Sequence, residues 1–197
     1  MSRQSLVASV AVLALLLGVS ACGSDDDKAD PKPTRTTASP TPTTPTQPKG
    51  ADGVTVEIQN WDAHADDPAV LAWKQATEAF SASSNNRKVL PGMRTAYSKP
   101  IFRQYVRNLQ TYVWKNDWHV TPRIPAKVQQ SRISGSKATL VTCLWAPAYA
   151  LRKENGSLVA KTAEKWSREN VELKSVDGRW VITKDTFKGY CSGGAPA

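Results

Sequence analysis

The chain has 197 residues, 40% of them hydrophobic and 22% charged, with a formal net charge of +9. That composition excludes a wholly disordered or fibrous protein and leaves room for one folded domain of ordinary size. Two histidines and three cysteines are too few for a histidine- or cysteine-rich metal centre.

The chain opens with Met1-Ser2-Arg3-Gln4-Ser5, polar and singly positive, followed by the uncharged run LVASVAVLALLLGV at 6–19. A positive start and an apolar stretch are the pattern of a secretory signal. The run is shorter than the roughly 20 apolar residues that a membrane-crossing helix needs. It ends in Val19-Ser20-Ala21-Cys22, with Asp25, Asp26 and Asp27 just beyond. This ending resembles the lipobox of bacterial lipoproteins, which implies cleavage after residue 21 and lipidation of Cys22 by palmitate-type chains. Each buried methylene of such a chain contributes about 0.8 kcal/mol of membrane anchoring. The expected location is therefore the extracytoplasmic face of a cell membrane, with the protein held by its lipid.

Residues 22–51 form the expected tether. Six prolines and seven threonines fall within 23–50, without one large apolar residue. Such a stretch buries too little surface to offset its ordering entropy, so it is expected to be disordered. The folded domain is expected over 52–192, with 193–197 as a flexible tail. All seven tryptophans lie in the domain, and its 21 basic residues against 13 acidic leave it at +8. A basic domain at this address suits anionic lipid heads or wall polymers, and not nucleic acid.

Within the domain, 66–83 reads as a helix, with Ala69, Trp73, Ala76 and Phe80 on one face and Asp66 and Asp67 at its start. NNRKVLPGMR reads as a loop. Residues 98–117 form the clearest helix, with Phe102, Tyr105, Val106, Leu109, Tyr112 and Val113 as its stripe. Strands follow: 126–133 and 137–145 across Ser134-Gly135-Ser136, then 163–176 and 179–187 across Asp177-Gly178. The longer stretch between them carries Asn155-Gly156. The expected fold class is α+β, with N-terminal helices packed on a curved four-stranded antiparallel sheet.

The stretches SGSKATLVTCLW (134–145) and VELKSVDGRWVITKDTFKGYC (171–191), after a tryptophan-bearing helix, resemble the nuclear transport factor 2-like fold. They are similar in particular to small actinobacterial lipoproteins of that superfamily. The resemblance implies a cone-like domain and a cysteine in a central strand meeting one after the last strand, and sheet-mediated homodimers are common in such folds. With Cys22 taken as the anchor, Cys143 and Cys191 remain as a pair in an oxidising compartment, and a disulfide is the expected outcome. Neither His64 nor His119 has a ligand-like spacing to a cysteine.

The superfamily includes isomerases, dehydratases and cyclases, whose chemistry needs a base in an apolar pocket opposite a hydroxyl. Asp62 and His64 are the candidate bases, with Tyr97, Tyr105 or Tyr149 as hydroxyls. Asp62 and His64 precede a helix and read better as a solvated, capping segment. His119 reads as a junction residue. Glu164, Glu169 and Glu172 read as a solvated ladder, so no sheet carboxylate is expected to sit among apolar neighbours. Catalytic signatures such as G-x-S-x-G, S-x-x-K and H-E-x-x-H are absent from the sequence. The expectation is a non-catalytic protein without a cofactor. Its domain would bind a small apolar ligand or an envelope protein through a mouth lined by Trp114, Trp118, Trp145, Tyr149 and Trp166. Arg103 and Arg107 could add a cationic edge. The alternatives are a pocket enzyme using Asp62 or His64, or a basic module for cell-wall association.

Overall fold

A computed structural model of the chain describes residues 45–50 and 52–196. The signal-like segment, Cys22 and the tether up to residue 44 lie outside the described residues. No helix among the described residues is long and apolar enough to cross a membrane.

The sheet has five strands in the order β1 (Thr55–Ile58), β2 (Arg123–Ser134), β3 (Lys137–Trp145), β4 (Trp166–Val176) and β5 (Arg179–Cys191). The last four form the antiparallel meander read from the sequence. The first was not expected, and it makes the sheet mixed. β1 runs parallel to β2, with Val56 opposite Ile124. A parallel neighbour requires a long crossover, and the helical segment between β1 and β2 supplies it. Val54, Val56 and Ile58 alternate inward and are buried. The outer edge of β1 is closed by Gln47, whose amide donates to Val56 O at 2.6 Å and accepts from Ile58 N at 3.1 Å. An edge covered in this way is a poor template for pairing with another chain.

α1 spans Pro68–Asn85 and starts as its sequence requires. The Asp67 carboxylate accepts from Ala69 N at 2.9 Å and Val70 N at 3.1 Å. Such a cap contributes about 1 kcal/mol. Ala69, Val70, Trp73 and Ala76 face the sheet. Lys74 and Glu78, one turn apart, form a buried ion pair, and Glu78 Oε1 also accepts from Val56 N at 2.9 Å. This contact ties α1 to β1 and gives the buried Glu78 carboxylate a second donor. Part of the expected loop is a short helix, α2 (Pro91–Ala96), which buries Met93.

The expected second helix is α3 (Lys99–Asn108), which widens into a π turn over Leu109–Val113 and tightens to a 3-10 turn over Trp114–Asn116. The widened turn shifts the apolar stripe. Leu109 and Val113 are buried, whereas Tyr112 is 58% exposed. After β3 comes α4 (Ala146–Tyr149), then an irregular connection with bridges from Arg152 to His119 and Leu158.

The core lies between the concave sheet face and α1–α3, filled by Trp73, Leu109, Ile124, Leu140, Leu144, Leu173 and Ile182. The β4–β5 turn, Asp177-Gly178, has φ of 51° and 75° at its two residues, the primed geometry that matches strand twist. Cys143 on β3 is bonded to Cys191 at the end of β5 across 6.3 Å between Cα atoms. This is the pairing expected from the cysteine count.

Candidate functional site

Alternation sets which side chains enter the concave face. On β3 these are Ala138, Leu140, Thr142 and Leu144, all buried. Opposite Leu173, Val171 and Glu169 on β4 stand Ala138, Leu140 and Thr142, so Glu169 continues the inward row of Val171 and Leu173. This corrects the solvated-ladder expectation. Glu172 does point outward, where it pairs with Lys184 at 3.0 Å, but Glu169 points inward.

β5 adds a second carboxylate by an irregular route. Ile182 faces Leu173 and Lys184 faces Glu172, leaving Thr183 as an extra residue. This bulge reverses the alternation beyond it. Without the bulge, the inward row from Trp180 and Ile182 would continue to Lys184, and Asp185 would face solvent. With it, Asp185 stands opposite Val171 on the inner face. A second irregularity, around Lys188 and Gly189, lets the strand end at Cys191 opposite Trp166. Gly189 has φ +88°, a conformation that a side chain disfavours.

Tyrosines cover the two carboxyls. Tyr105 on α3 donates to Asp185 Oδ2 at a long 3.5 Å. Its ring meets Phe80 at 5.0 Å and Tyr97 at 5.1 Å between centroids. Tyr97 is placed by a backbone bridge to Ile182, and its hydroxyl donates to Ala76 O at 2.9 Å. Tyr149 on α4 lies within reach of the Glu169 charge. Thr142, opposite Glu169, is fully buried, and its hydroxyl has no protein partner.

Burial and the Asp185 charge together push the Glu169 carboxyl up from 4.5 to about 8. Burial pushes Asp185 up to about 6, opposed by hydrogen bonds from Tyr105 and from the Thr186 backbone N–H. Burial and the carboxylate charges hold the Tyr97 and Tyr149 hydroxyls well above 10. Near neutral pH the two carboxyls therefore share about one proton, as coupled acids in a poorly hydrated place do. A pair in this state can donate and accept a hydrogen bond, take up a positive charge or exchange a proton with a bound molecule.

The expected aromatic mouth does not assemble. Trp145 and Trp166 face each other across β3 and β4 on the convex side, their rings 5.3 Å apart. Trp166 is buried there, donating to Gly194 O at 2.7 Å beneath the Lys127 ammonium. Trp114 bonds to Ser83 O at 3.1 Å and packs on α1, while Trp118 borders a surface hollow with Lys153 and Asn155. Of that group, Tyr149 alone joins the carboxyls, because strand alternation sends the β3 and β4 tryptophans to the opposite face. Asp62 is exposed in a 3-10 turn, and His64 closes that turn. Neither is grouped with the tyrosines. Arg103 and Arg107 lie exposed on α3.

A groove of about 730 Å³ lies elsewhere, between α1, α2, Pro48 and the β4–β5 turn at Trp180. Five charged residues line it, of which the buried Lys74 and Glu78 already satisfy each other. The other three, Lys49, Asp52 and Arg179, are exposed, so water competes with any ligand for their charges. The concave carboxyl pair is the better candidate. Among the described residues no three His, Cys, Asp or Glu side chains gather as a metal-ligand set.

No family model and no curated protein matches the chain. Among solved structures, it is similar to an NTF2-like protein of unknown function from Shewanella baltica, at 10% identity and a TM-score of 0.36, over 62% of this chain and 94% of that one. It is also similar to a protein of unknown function with a cystatin-like fold from Nostoc punctiforme, at 13% identity and a TM-score of 0.35, over 66% and 92%. A designed protein with a curved β-sheet matches at 10% identity and a TM-score of 0.33, over 61% and 96%. These likenesses are distant, and the fold stands on its own geometry as an α+β domain with a curved five-stranded mixed sheet.

Proposed function

We propose that this is a lipid-anchored extracytoplasmic protein whose domain holds a small ligand on the concave face of its sheet, without catalysis. The observation that carries the reading is the inward pair Glu169 and Asp185 beneath Tyr105 and Tyr149. Burying two carboxyls costs stability unless they are partnered. A fold with no use for them would fill these positions with apolar residues, as it does at Val171, Leu173 and Ile182. The anchor rests on Cys22 and the segment before it.

Native mass spectrometry of the protein purified from its own envelope tests the reading. A small molecule that accompanies the wild type and is lost from the E169Q/D185N double variant supports it. A clean protein mass, or a companion retained by the double variant, overturns it. One observation favours a second reading, a pocket enzyme. A half-neutralised carboxyl beside a tyrosine hydroxyl is equipment for proton abstraction. In that case Glu169 or Asp185 replaces Asp62 and His64 as the base, and a companion released chemically altered would reveal it.

A further inference from the structure

Resting on the ligand-binding reading above, we propose that the group recognised at the concave face is a primary ammonium, R–NH₃⁺, held by Glu169, Asp185 and the Thr142 hydroxyl. A primary ammonium carries three N–H donors on one compact charge. The inner face offers three acceptors in neighbouring inward positions, Glu169 opposite Thr142 and, two residues along β4, Asp185 opposite Val171. Thr142 is the observation independent of the acids. It is fully buried, lies on the same sheet face opposite Glu169, and its hydroxyl is bonded to nothing in the protein. Ser81, Ser84 and Ser131 also have buried hydroxyls without a protein partner, but among these four only Thr142 stands opposite a carboxyl in the sheet, where a donor from a ligand would satisfy it.

The surroundings select the charge. The groups acting on Glu169 reduce to burial and Asp185, and those acting on Asp185 to Tyr105, the Thr186 N–H and burial. The elements that pack over the pair contribute Phe80 from α1, Tyr97 and Tyr105 from the α3 side and Tyr149 from α4. None of these groups is basic, although the chain as a whole is at +9. An anionic ligand would meet two acids there. A divalent cation would want more hard oxygen ligands than two carboxylates, and among the described residues no third acid or histidine joins them. The aromatic rings beside Asp185 suit both an ammonium and the apolar stem behind it.

Filling the site changes its protonation. A cation beside the pair favours both carboxyls in their ionised form, so Glu169 gives up its proton as the ammonium enters. Uptake is then coupled to the release of about one proton near neutral pH, and binding tightens as pH rises.

Backbone amide NMR of the full chain in detergent micelles tests this, with cyclohexylammonium, tetramethylammonium, cyclohexanol and cyclohexanecarboxylate as probes. Cyclohexylammonium is expected to shift the amides of Thr142, Glu169 and Asp185. Its affinity should be about tenfold higher at pH 9 than at pH 7, as a carboxyl titrating at about 8 implies. Tetramethylammonium has the charge without donors and should bind far more weakly. E169Q should flatten the pH dependence, and D185N should weaken binding while leaving it pH-dependent. If cyclohexanol shifts the same amides as strongly, or cyclohexylammonium binding does not change with pH, the ammonium proposal falls and the ligand-binding reading stands. If none of the four probes shifts those amides, the ammonium proposal also falls. The envelope mass measurement decides the binding reading separately.

Discussion

Replacing Glu169 with glutamine (E169Q) keeps the shape of the side chain and removes its proton equilibrium, so it isolates what an inward carboxyl costs the fold. In the folded protein this carboxyl titrates at about 8 instead of 4.5. Its folded value is raised, so the native state holds the proton more tightly than the unfolded chain. The associated stability is full below about pH 4.5 and is lost as pH rises towards 8. At about 1.36 kcal/mol per unit, the shift sets an upper bound near 5 kcal/mol. Glu169 keeps partial access to water and shares its titration with Asp185, which reduces the expected effect to about 2–4 kcal/mol. E169Q should therefore match the wild type near pH 4.5 and exceed it by that amount near pH 8. Urea denaturation of both proteins across this range, with the disulfide intact, measures the gap. Parallel stability curves would mean that Glu169 titrates normally and faces solvent, and the carboxyl pair would be lost as a site.

Three further outcomes follow from named contacts. Y105F removes the hydroxyl that holds Asp185 down, so the Asp185 carboxyl should titrate above its present value of about 6 in a carbon-detected NMR titration. Replacing Cys143 and Cys191 by serine opens a cross-link of 48 residues and should cost about 2–4 kcal/mol in urea denaturation. E78A strands the buried Lys74 ammonium and frees the Val56 N–H. It should cost about 3–5 kcal/mol and raise amide exchange in β1 specifically, while a K74M/E78L double variant should recover most of the loss.

Local chemistry made much of the fold legible. Asp67-Pro68 announces a helix start, and Asp177-Gly178 announces a hairpin, because these residues determine backbone geometry within a few positions. β1 carried a readable signal in the alternation Val54, Val56, Ile58, but a strand of four residues is too short to stand out before a partner is known. Its pairing with β2 is a long-range event. The π turn after Asn108 is decided by packing, since the helical stripe runs through it unbroken in the sequence.

The two carboxyls separate what each level decided. Glu169 was legible, because it stands two and four residues from Val171 and Leu173 and so shares their face of a strand. Asp185 was not, because counting by twos from Ile182 sends it outward, and only the extra residue at Thr183 turns it in. A bulge forms where a strand must bend to follow its partner, and that demand arises from the curved sheet as a whole. The same sheet sends Trp145 and Trp166 to its convex side, although spacing along the chain says nothing of which side is concave. The sequence by itself determined the signal-like start, the cysteine arithmetic and the order of elements, which depend on composition and near neighbours. Only the tertiary structure decided which acids, hydroxyls and rings meet, because that depends on register and curvature, properties of paired strands and not of any one segment.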